Sequence, residues 1–290
     1  MGIRSLNRYL TETCTTSAIK KKHASTFRDT TIVVDMSIYL YKFLGEFDKG
    51  EDRLLIGIRR MCDMFIKYNI TPIFVFDGKP PADKQQIIQE RTGRKQSAET
   101  EYNRLVQDPT ADPEILDNLR RKFIRIKDEE IQQVKDIIAG YGVEYRVAEA
   151  EADTVCAQLM REGKAWGCMS NDMDMFAYGC LHILRDLNVD THTVMYYNMK
   201  LILRELKLSM KLFREVVILS GTDYNPTNDT PLHESVRLAR RYQEYVVQTQ
   251  GSPYDKNNPT LSFYMWVEKN TWYIADSARL IRIYKVFSAK

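Results

Sequence analysis

The feature that most constrains the fold is an alternation of short apolar runs with longer helical patterns. Five runs rich in β-branched and aromatic residues have the composition of strands, at residues 31–34, 72–76, 143–147, 165–169 and 182–185. The helical segments between them are typical of βαβ units. The sequence therefore predicts an α/β protein with a mostly parallel central sheet flanked by helices.

Acidic residues follow several of these runs. Since ligands bind beyond the carboxyl ends of strands in open parallel sheets, acids at these ends are candidates for an active site. Taken singly, each also has an ordinary role as a helix cap, a first-turn charge or a turn residue. The complete candidate set is Asp35, Asp77, Glu149, Glu151, Asp172, Asp174 and Asp223.

Seven carboxylates at one rim of a sheet require cations. Two carboxylates ~4 Å apart repel each other by about 1 kcal/mol in water and about 4 kcal/mol at an effective dielectric constant of 20. All-oxygen ligands suit Mg²⁺, for which Mn²⁺ can substitute. A pair of such ions stabilises the attacking and leaving oxygens of an in-line displacement, so no nucleophilic side chain is needed.

The bulk composition fits an ordinary globular protein of 290 residues. The net charge is only +3, so affinity for nucleic acid must come from local basic patches. Five scattered cysteines and four isolated histidines show no zinc-ligand spacing. The first ten residues carry Arg4 and Arg8, unlike a signal peptide, and we expect an intracellular protein of the nucleus or cytoplasm, a viral replication site included.

Two breaks divide the chain. A polar, basic stretch from about residue 79 to 127 is interrupted by 107–113, where Asp112 can cap a helix that has Pro113 in its first turn. This stretch predicts two helices standing off the main body. The second break, at 225–231, precedes a helical pattern to about Gln250, a loop at 251–259 and a tail without clear periodicity.

Six ordered stretches carry a family resemblance: MGIRSLNRYL, VVDMSIYLYKFL, FVFDGKPP, EAEAD, SNDMDMF and LSGTDYN. From Met1 to about Asn225 the chain resembles the flap endonuclease and XPG-type 5′ nuclease family. The resemblance implies a PIN-like 5′ nuclease core at 1–225 with a helical arch at about 79–127, and a reduced helical duplex-binding part at 226–290. It also places all seven acids on the ligands of two metal ions.

Two basic residues of the arch gain a role from the resemblance. Lys84 and Arg91 are seven residues apart and share one helix face, which a solvated surface also explains. In the family, matching residues contact the scissile phosphate and neutralise its developing charge.

Further nucleic-acid contacts are expected at other positions. Tyr41 matches the tyrosine on which a base stacks, although a core aromatic residue fits equally well without the resemblance. Gly2 matches a glycine whose backbone approaches the substrate. A basic run, which also fits an ordinary helix end, favours a clamp on the phosphate backbone; it comprises Arg120, Arg121, Lys122, Arg125 and Lys127.

The family pattern fails at three places. Asp153 stands where relatives often have a small residue, and is either an outer-shell acid or the partner of a basic side chain. No glycine occurs from Thr222 to Gln250, so the glycine-rich duplex-binding turn of the family is in doubt. No motif for binding a sliding clamp is found, and recruitment by a clamp is not predicted.

The leading prediction is a metal-dependent, structure-selective 5′ nuclease acting on DNA with 5′ ends or flaps. The first alternative is the same chemistry on RNA or on simple 5′ ends. The second is a non-catalytic nucleic-acid scaffold, which would not need the complete set of acids. No membrane partner is expected, and the oligomeric state is left open.

Overall fold

The protein is described here by a computed structural model. The structure describes residues 2–3, 5–46, 52–79, 85–108, 110–226, 230–250, 262–273 and 276–288. Two compact units are present. The first comprises Met1–Lys21, Asn171–Leu184 and Met195–Lys290, and the second comprises Lys22–Ser170 and Arg185–Val194. The sequence-based boundary at residue 225 stays a prediction.

One sheet contains the strands found in the described part of the chain. They are β1 Ile19–His23, β2 Thr31–Asp35, β3 Thr71–Phe76, β4 Glu144–Val147, β5 Gly167–Met169, β6 His182–Asn188 and β7 Thr193–Asn198. Their order across the sheet is β1-β7-β6-β5-β2-β3-β4. All five runs predicted from the sequence are strands, whereas β1 and β7 were not predicted.

The helices of the described residues follow in chain order. They are α1 Leu6–Thr13, α2 Met36–Glu46, α3 Arg53–Lys67, α4 Gln85–Leu105, α5 Pro113–Lys122, α6 Asp128–Gly140, α7 Ala152–Arg161, α8 Asp174–Tyr178, α9 Met199–Leu206, α10 Met210–Leu219, α11 Leu232–Gln250, α12 Phe263–Asn270 and α13 Ser277–Ser288. None of the described helices combines the length and apolar character needed to cross a membrane.

The second unit is built on parallel strands. β2 pairs in parallel with β3 and β5, and β3 pairs in parallel with β4. Ile32, Val33 and Val34 of β2 are fully buried. Such a continuous β-branched run is typical of a strand covered on both faces, and it confirms the mostly parallel sheet.

The two helices predicted between about residue 79 and 127 are present as α4 and α5, and their role as an arch stays a prediction. Asp112 caps α5 as expected, because its side chain accepts a hydrogen bond of 2.8 Å from the backbone amide of Glu114. The predicted helix before Gln250 is α11. The predicted loop at 251–259 lies outside the described residues.

Candidate active site

Asp35 is the last residue of β2 and is only 4% exposed. Its Oδ2 accepts a hydrogen bond of 2.8 Å from the Ser170 hydroxyl, and its Oδ1 accepts one of 3.2 Å from the Ser37 amide. These bonds fix the orientation of the carboxylate at the carboxyl end of the strand.

Asp77 directly follows β3. Its Oδ1 accepts a 2.7 Å hydrogen bond from the amide of Ala152, the first residue of α7, and its Oδ2 accepts a hydrogen bond from the Ser37 hydroxyl. Glu151 occupies the N-cap position of α7, but its own side chain makes no capping bond. The first backbone amides of a helix have no acceptor within the helix, and the carboxylate of Asp77 provides one for Ala152.

Gly78 holds the loop that carries Glu149 against the end of β3. The amide of Gly78 donates to the carbonyl of Ala150 at 2.7 Å, and the amide of Lys79 donates to the carbonyl of Glu149 at 3.1 Å. A β-carbon on Gly78 would stand 2.6 Å from that Glu149 carbonyl oxygen, so a side chain does not fit.

Parallel pairing brings these acids to one edge of the sheet. Asp35 is in register with Val75 of β3, two residues before Asp77. Phe76 is in register with Val147 of β4, two residues before Glu149. Asp35, Asp77 and Glu149 thus follow the carboxyl ends of β2, β3 and β4, and the sequence predicted this position for Asp35 and Asp77.

In the first unit, Asp172 and Asp174 are buried and adjacent. Asp174 is 1% exposed, and its amide donates a 3.0 Å hydrogen bond to Oδ1 of Asp172. The backbone of Gly2, with φ +75°, lies against both carboxylates. A β-carbon there would stand 2.5 Å from Oδ1 of Asp174 and would collide with Oδ1 of Asp172 as well. Both oxygens therefore face the same small volume beside Gly2.

Asp223 lies in a turn locked by Asn225. The side-chain Oδ1 of Asn225 accepts hydrogen bonds from the Thr222 amide at 2.9 Å and from the Thr222 hydroxyl at 2.6 Å, while its Nδ2 donates to the backbone carbonyl of Ile218 at 2.7 Å. Thr222 and Asn225 are buried, whereas Asp223 is half-buried. These bonds hold the turn together, and no glycine stands between Thr222 and Asn225.

Two sequence models of one family match the chain. The XPG N-terminal domain matches residues 1–98, and the XPG I-region matches residues 142–223. The chain belongs to the XPG and flap endonuclease family. The first match contains Asp35 and Asp77, and the second contains the other five acids. The basic run at 120–127 lies between the two matches.

Curated relatives and solved structures agree with this family. Flap endonuclease 1 of Leishmania braziliensis is 29% identical over 247 residues, and that of Mycosarcoma maydis is 28% identical over 258 residues. These alignments cover 78% and 84% of this chain and 61% and 68% of the relatives. The chain thus spans 61% of the length of the first relative.

Structural similarity extends over nearly the whole chain. The catalytic core of Rad2 in complex with DNA substrate has a TM-score of 0.68 at 20% identity, covering 99% of this chain and 86% of that one. Flap endonuclease-1 from Methanococcus jannaschii has a TM-score of 0.56 at 17% identity, covering 93% and 96%. Both similarities confirm the family fold.

Tyr41 on α2 is 44% exposed and contacts α4. The ammonium of Lys95 on α4 lies 4.9 Å from the centre of the Tyr41 ring and also donates a 3.1 Å hydrogen bond to the carbonyl of Ile124. Tyr41 is therefore not a buried core residue, which was the alternative that the sequence left open. Arg91 is half-buried on α4, and Lys84 lies outside the described residues.

The basic run is partly neutralised by acids from outside it. Arg120 and Arg121 both pair with Asp117, at 3.2 and 2.6 Å, and Arg125 pairs with Glu99 at 2.6 Å. These side chains are 41% to 64% exposed, and exposed ion pairs of this kind are weak. The arginines can therefore exchange their acids for phosphates.

Sequence reasoning missed the residues that support the acids. The Arg214 side chain on α10 donates to the carbonyls of Ala177 and Tyr178 at 2.6 and 3.5 Å, and so holds the end of α8, which begins at Asp174. Phe287 on α13 is fully buried, with its ring 4.9 Å from that of Tyr178 and 5.6 Å from that of Tyr224.

These supports left little signal in the sequence. Ser37 and Ser170 stand within two residues of Asp35 and Asp172, so hydroxyls next to the acid motifs were a usable hint. Arg214 and Phe287 contact partners 37 and 109 residues away in the chain, and no local pattern indicates such pairs.

The donor chemistry fits divalent cations. The candidate ligands offer carboxylate oxygens, and Asp35, Asp172 and Asp174 are buried, where uncompensated negative charge is costly. In the described part of the chain, no three His, Cys, Asp or Glu side chains already form a group that could hold a metal ion.

Proposed function

We propose that this chain is a divalent-metal-dependent, structure-selective 5′ nuclease that hydrolyses phosphodiesters of DNA near 5′ ends or flaps. The observation that carries the proposal is the placement of Asp35, Asp77 and Glu149 at the carboxyl ends of three neighbouring parallel strands, inside the segments that match the XPG family. The names of the flap endonuclease relatives and the DNA substrate bound to Rad2 support a DNA substrate.

Two Mg²⁺ ions, replaceable by Mn²⁺, would be held by the seven acids. When bound, the ions supply positive charge to the attacking and leaving oxygens. The hydroxyl groups of Ser37 and Ser170 orient Asp77 and Asp35, so these carboxylates need little rearrangement to bind a cation. Because Gly2 has no side chain, its backbone lies against the carboxylates of Asp172 and Asp174 without a collision.

Other residues would bind the nucleic acid. Lys84 and Arg91 would neutralise charge on the scissile phosphate. Tyr41 would stack on a base, an interaction worth about 1–3 kcal/mol. The basic run at 120–127 would hold the strand through its phosphates, without sequence preference.

The lack of glycine after Asp223 favours one alternative, the same chemistry on RNA or on simple 5′ ends. No glycine occurs from Thr222 to Gln250, the part of the chain where relatives are expected to bind a duplex through a glycine-rich turn. A weaker grip on duplex would loosen the preference for branched DNA.

A time course on 5′-labelled double-flap DNA with Mg²⁺, Mn²⁺ or chelator tests the proposal. A matched RNA strand and a plain duplex serve as competing substrates. We expect metal-dependent cutting at the base of the flap. Cutting only of RNA or plain 5′ ends supports the alternative, and binding without any cutting supports a non-catalytic scaffold.

A further inference from the structure

A cavity of about 360 Å³ lies beside Asp77 in the second unit. Asp77 and Ser37 form one part of its lining, so it opens at the edge of the sheet where the candidate metal ligands lie. Small-molecule sites in proteins occupy about 300–1,000 Å³. The cavity is large enough for an aromatic ring system next to Asp77.

Part of the lining is apolar. Leu40 of α2 and Phe76 of β3 are buried, and Ile131 of α6 is half-buried. The ammonium of Lys135 lies 5.2 Å from the centre of the Phe76 ring, a distance suited to a cation–π interaction. Such a lining favours a flat, weakly hydrated ring over a hydrated ion.

Helix α6 supplies the polar part of the lining. Asp128, Gln132 and Lys135 line the cavity, and their spacing places them on one helix face. The Gln132 amide nitrogen donates to Asp136 at 2.8 Å, which leaves its carbonyl oxygen as an acceptor. Lys135 offers donors and Asp128 offers acceptors. The edges of nucleobases carry both donors and acceptors and can pair with such a set.

The charge of the lining bears on whether the cavity suits a base or a phosphate. Asp77 is itself a candidate metal ligand, and the other charged residues of the lining, Asp128 and Lys135, are one anion and one cation. The part of the lining away from Asp77 therefore carries no net positive charge to attract a phosphate, whereas an uncharged base needs none. Together with the apolar residues, this part of the lining favours a base.

We propose that this cavity receives an unpaired nucleobase from a nucleotide next to the phosphodiester that is cut. The inference rests on the proposed function, because it requires a substrate strand at Asp77. Leu40 in the cavity and Tyr41 are consecutive on α2, so the two sites would hold different bases of one single-stranded segment.

The test measures DNA binding in chelator, so that no strand is cut. A single abasic nucleotide is moved through each position around the base of a 5′ flap, and Kd is measured by fluorescence anisotropy. We expect two sensitive positions, each raising Kd about tenfold, as the loss of a stacked base does. The abasic position whose effect on Kd disappears in Tyr41→Ala marks the base that stacks on Tyr41. The other position marks the base that enters the cavity.

Filling the cavity should abolish only the effect on Kd of the abasic position assigned to the cavity. Ile131→Trp places a large ring in the cavity, and Gln132→Trp narrows it from an exposed position, which provides a second variant if Ile131→Trp fails to fold. Ile66→Trp is the matched control, because Ile66 is 59% exposed on α3 and does not line the cavity.

The proposal is overturned if the only abasic position that affects Kd is the one assigned to Tyr41. It is also overturned if the abasic position assigned to the cavity still affects Kd in a folded tryptophan variant. Cleavage of the same DNA with Mg²⁺ is a separate measurement. If two abasic positions raise Kd but the protein cuts no DNA, the result contradicts the nuclease function and supports the base-binding role of the cavity. Absence of DNA binding contradicts both.

Discussion

Asp77 accepts a 2.7 Å hydrogen bond from the backbone amide of Ala152 and thereby joins the end of β3 to the start of α7. The same carboxylate is a candidate metal ligand. Asp77 therefore has a structural role that is separable from its proposed role in catalysis.

Substitutions at Asp77 should separate these roles. Asp77→Asn retains a carbonyl oxygen for the Ala152 amide but loses the charge, so we expect a folded protein without cleavage activity. Asp77→Ala loses the cap as well and should be about 1 kcal/mol less stable than Asp77→Asn. Urea denaturation in chelator measures the difference, and equal stability of the two variants would contradict the capping role.

Gly2→Ala should reduce cleavage strongly without unfolding the protein. Its β-carbon would collide with the oxygens of Asp172 and Asp174 and displace them. Gly163→Ala is the matched control, because Gly163 also has a positive φ, of +67°, but its added β-carbon would meet nothing within 4 Å. Comparable loss of activity in both variants would indicate backbone strain and not the collision.

Asp172→Ala and Asp174→Ala should each abolish cleavage while DNA binding in chelator remains. The carboxylates are expected to hold cations, and binding to phosphates depends mainly on basic residues. Asp190→Ala is a control, since Asp190 forms an exposed ion pair with Arg60 at 2.6 Å. Retained metal-dependent cleavage in both active-site variants would overturn the metal assignment.

Arg121→Ala should weaken DNA binding at low salt and flatten the salt dependence. Each phosphate contact in duplex DNA contributes a slope of about 0.9 in a plot of log K against log salt. We therefore expect the slope to fall by up to about 1. Arg146→Ala, which removes an arginine paired with Glu144 at 2.7 Å outside the basic run, should leave the slope unchanged.

Burial raises the pKa of Glu215 on α10 to about 7, opposed by the nearby cations Lys211 and Arg214. A carboxyl group whose pKa is raised in the folded state favours folding when protonated. This contribution is present below about pH 4.5 and is lost as the pH rises through about 7.

Glu215→Gln should therefore stabilise the protein at pH 8, and the gain should disappear towards pH 4.5. One pKa unit corresponds to ~1.4 kcal/mol, and partial solvent screening reduces the effect, so we expect a gain of about 1–2 kcal/mol at pH 8. Thermal or urea unfolding at both pH values measures it. A gain that is the same at both would exclude ionisation as its cause.

The sequence predicted the elements whose signals are local. β2 and β3 are continuous apolar runs, and the cap of α5 depends on Asp112 and Pro113 alone. β1 was missed because three lysines stand between Ile19 and His23, so its pattern is neither apolar nor alternating.

The last helix, α13, was not predicted from the sequence, although its buried residues have helical spacing. Leu280, Ile283 and Phe287 are the buried residues of α13, three and four residues apart, which is helical spacing. The exposed residues around them obscured this pattern. The hydroxyl of Ser170 stands next to an acid motif, but its pairing with Asp35, like the contact of Arg214 with α8, joins residues distant in sequence and could not be read locally.

The buried Phe287 ring has a practical consequence for producing this protein. A shortened form that stops near residue 225 would keep all seven acids but lose the ring that contacts Tyr178 and Tyr224, beside the segments that carry Asp174 and Asp223. Recombinant expression and crystallisation of this protein should therefore extend through residue 288. If a shortened form proves inactive, the cause is then the loss of the packing around Phe287 and not a defect in the seven acids.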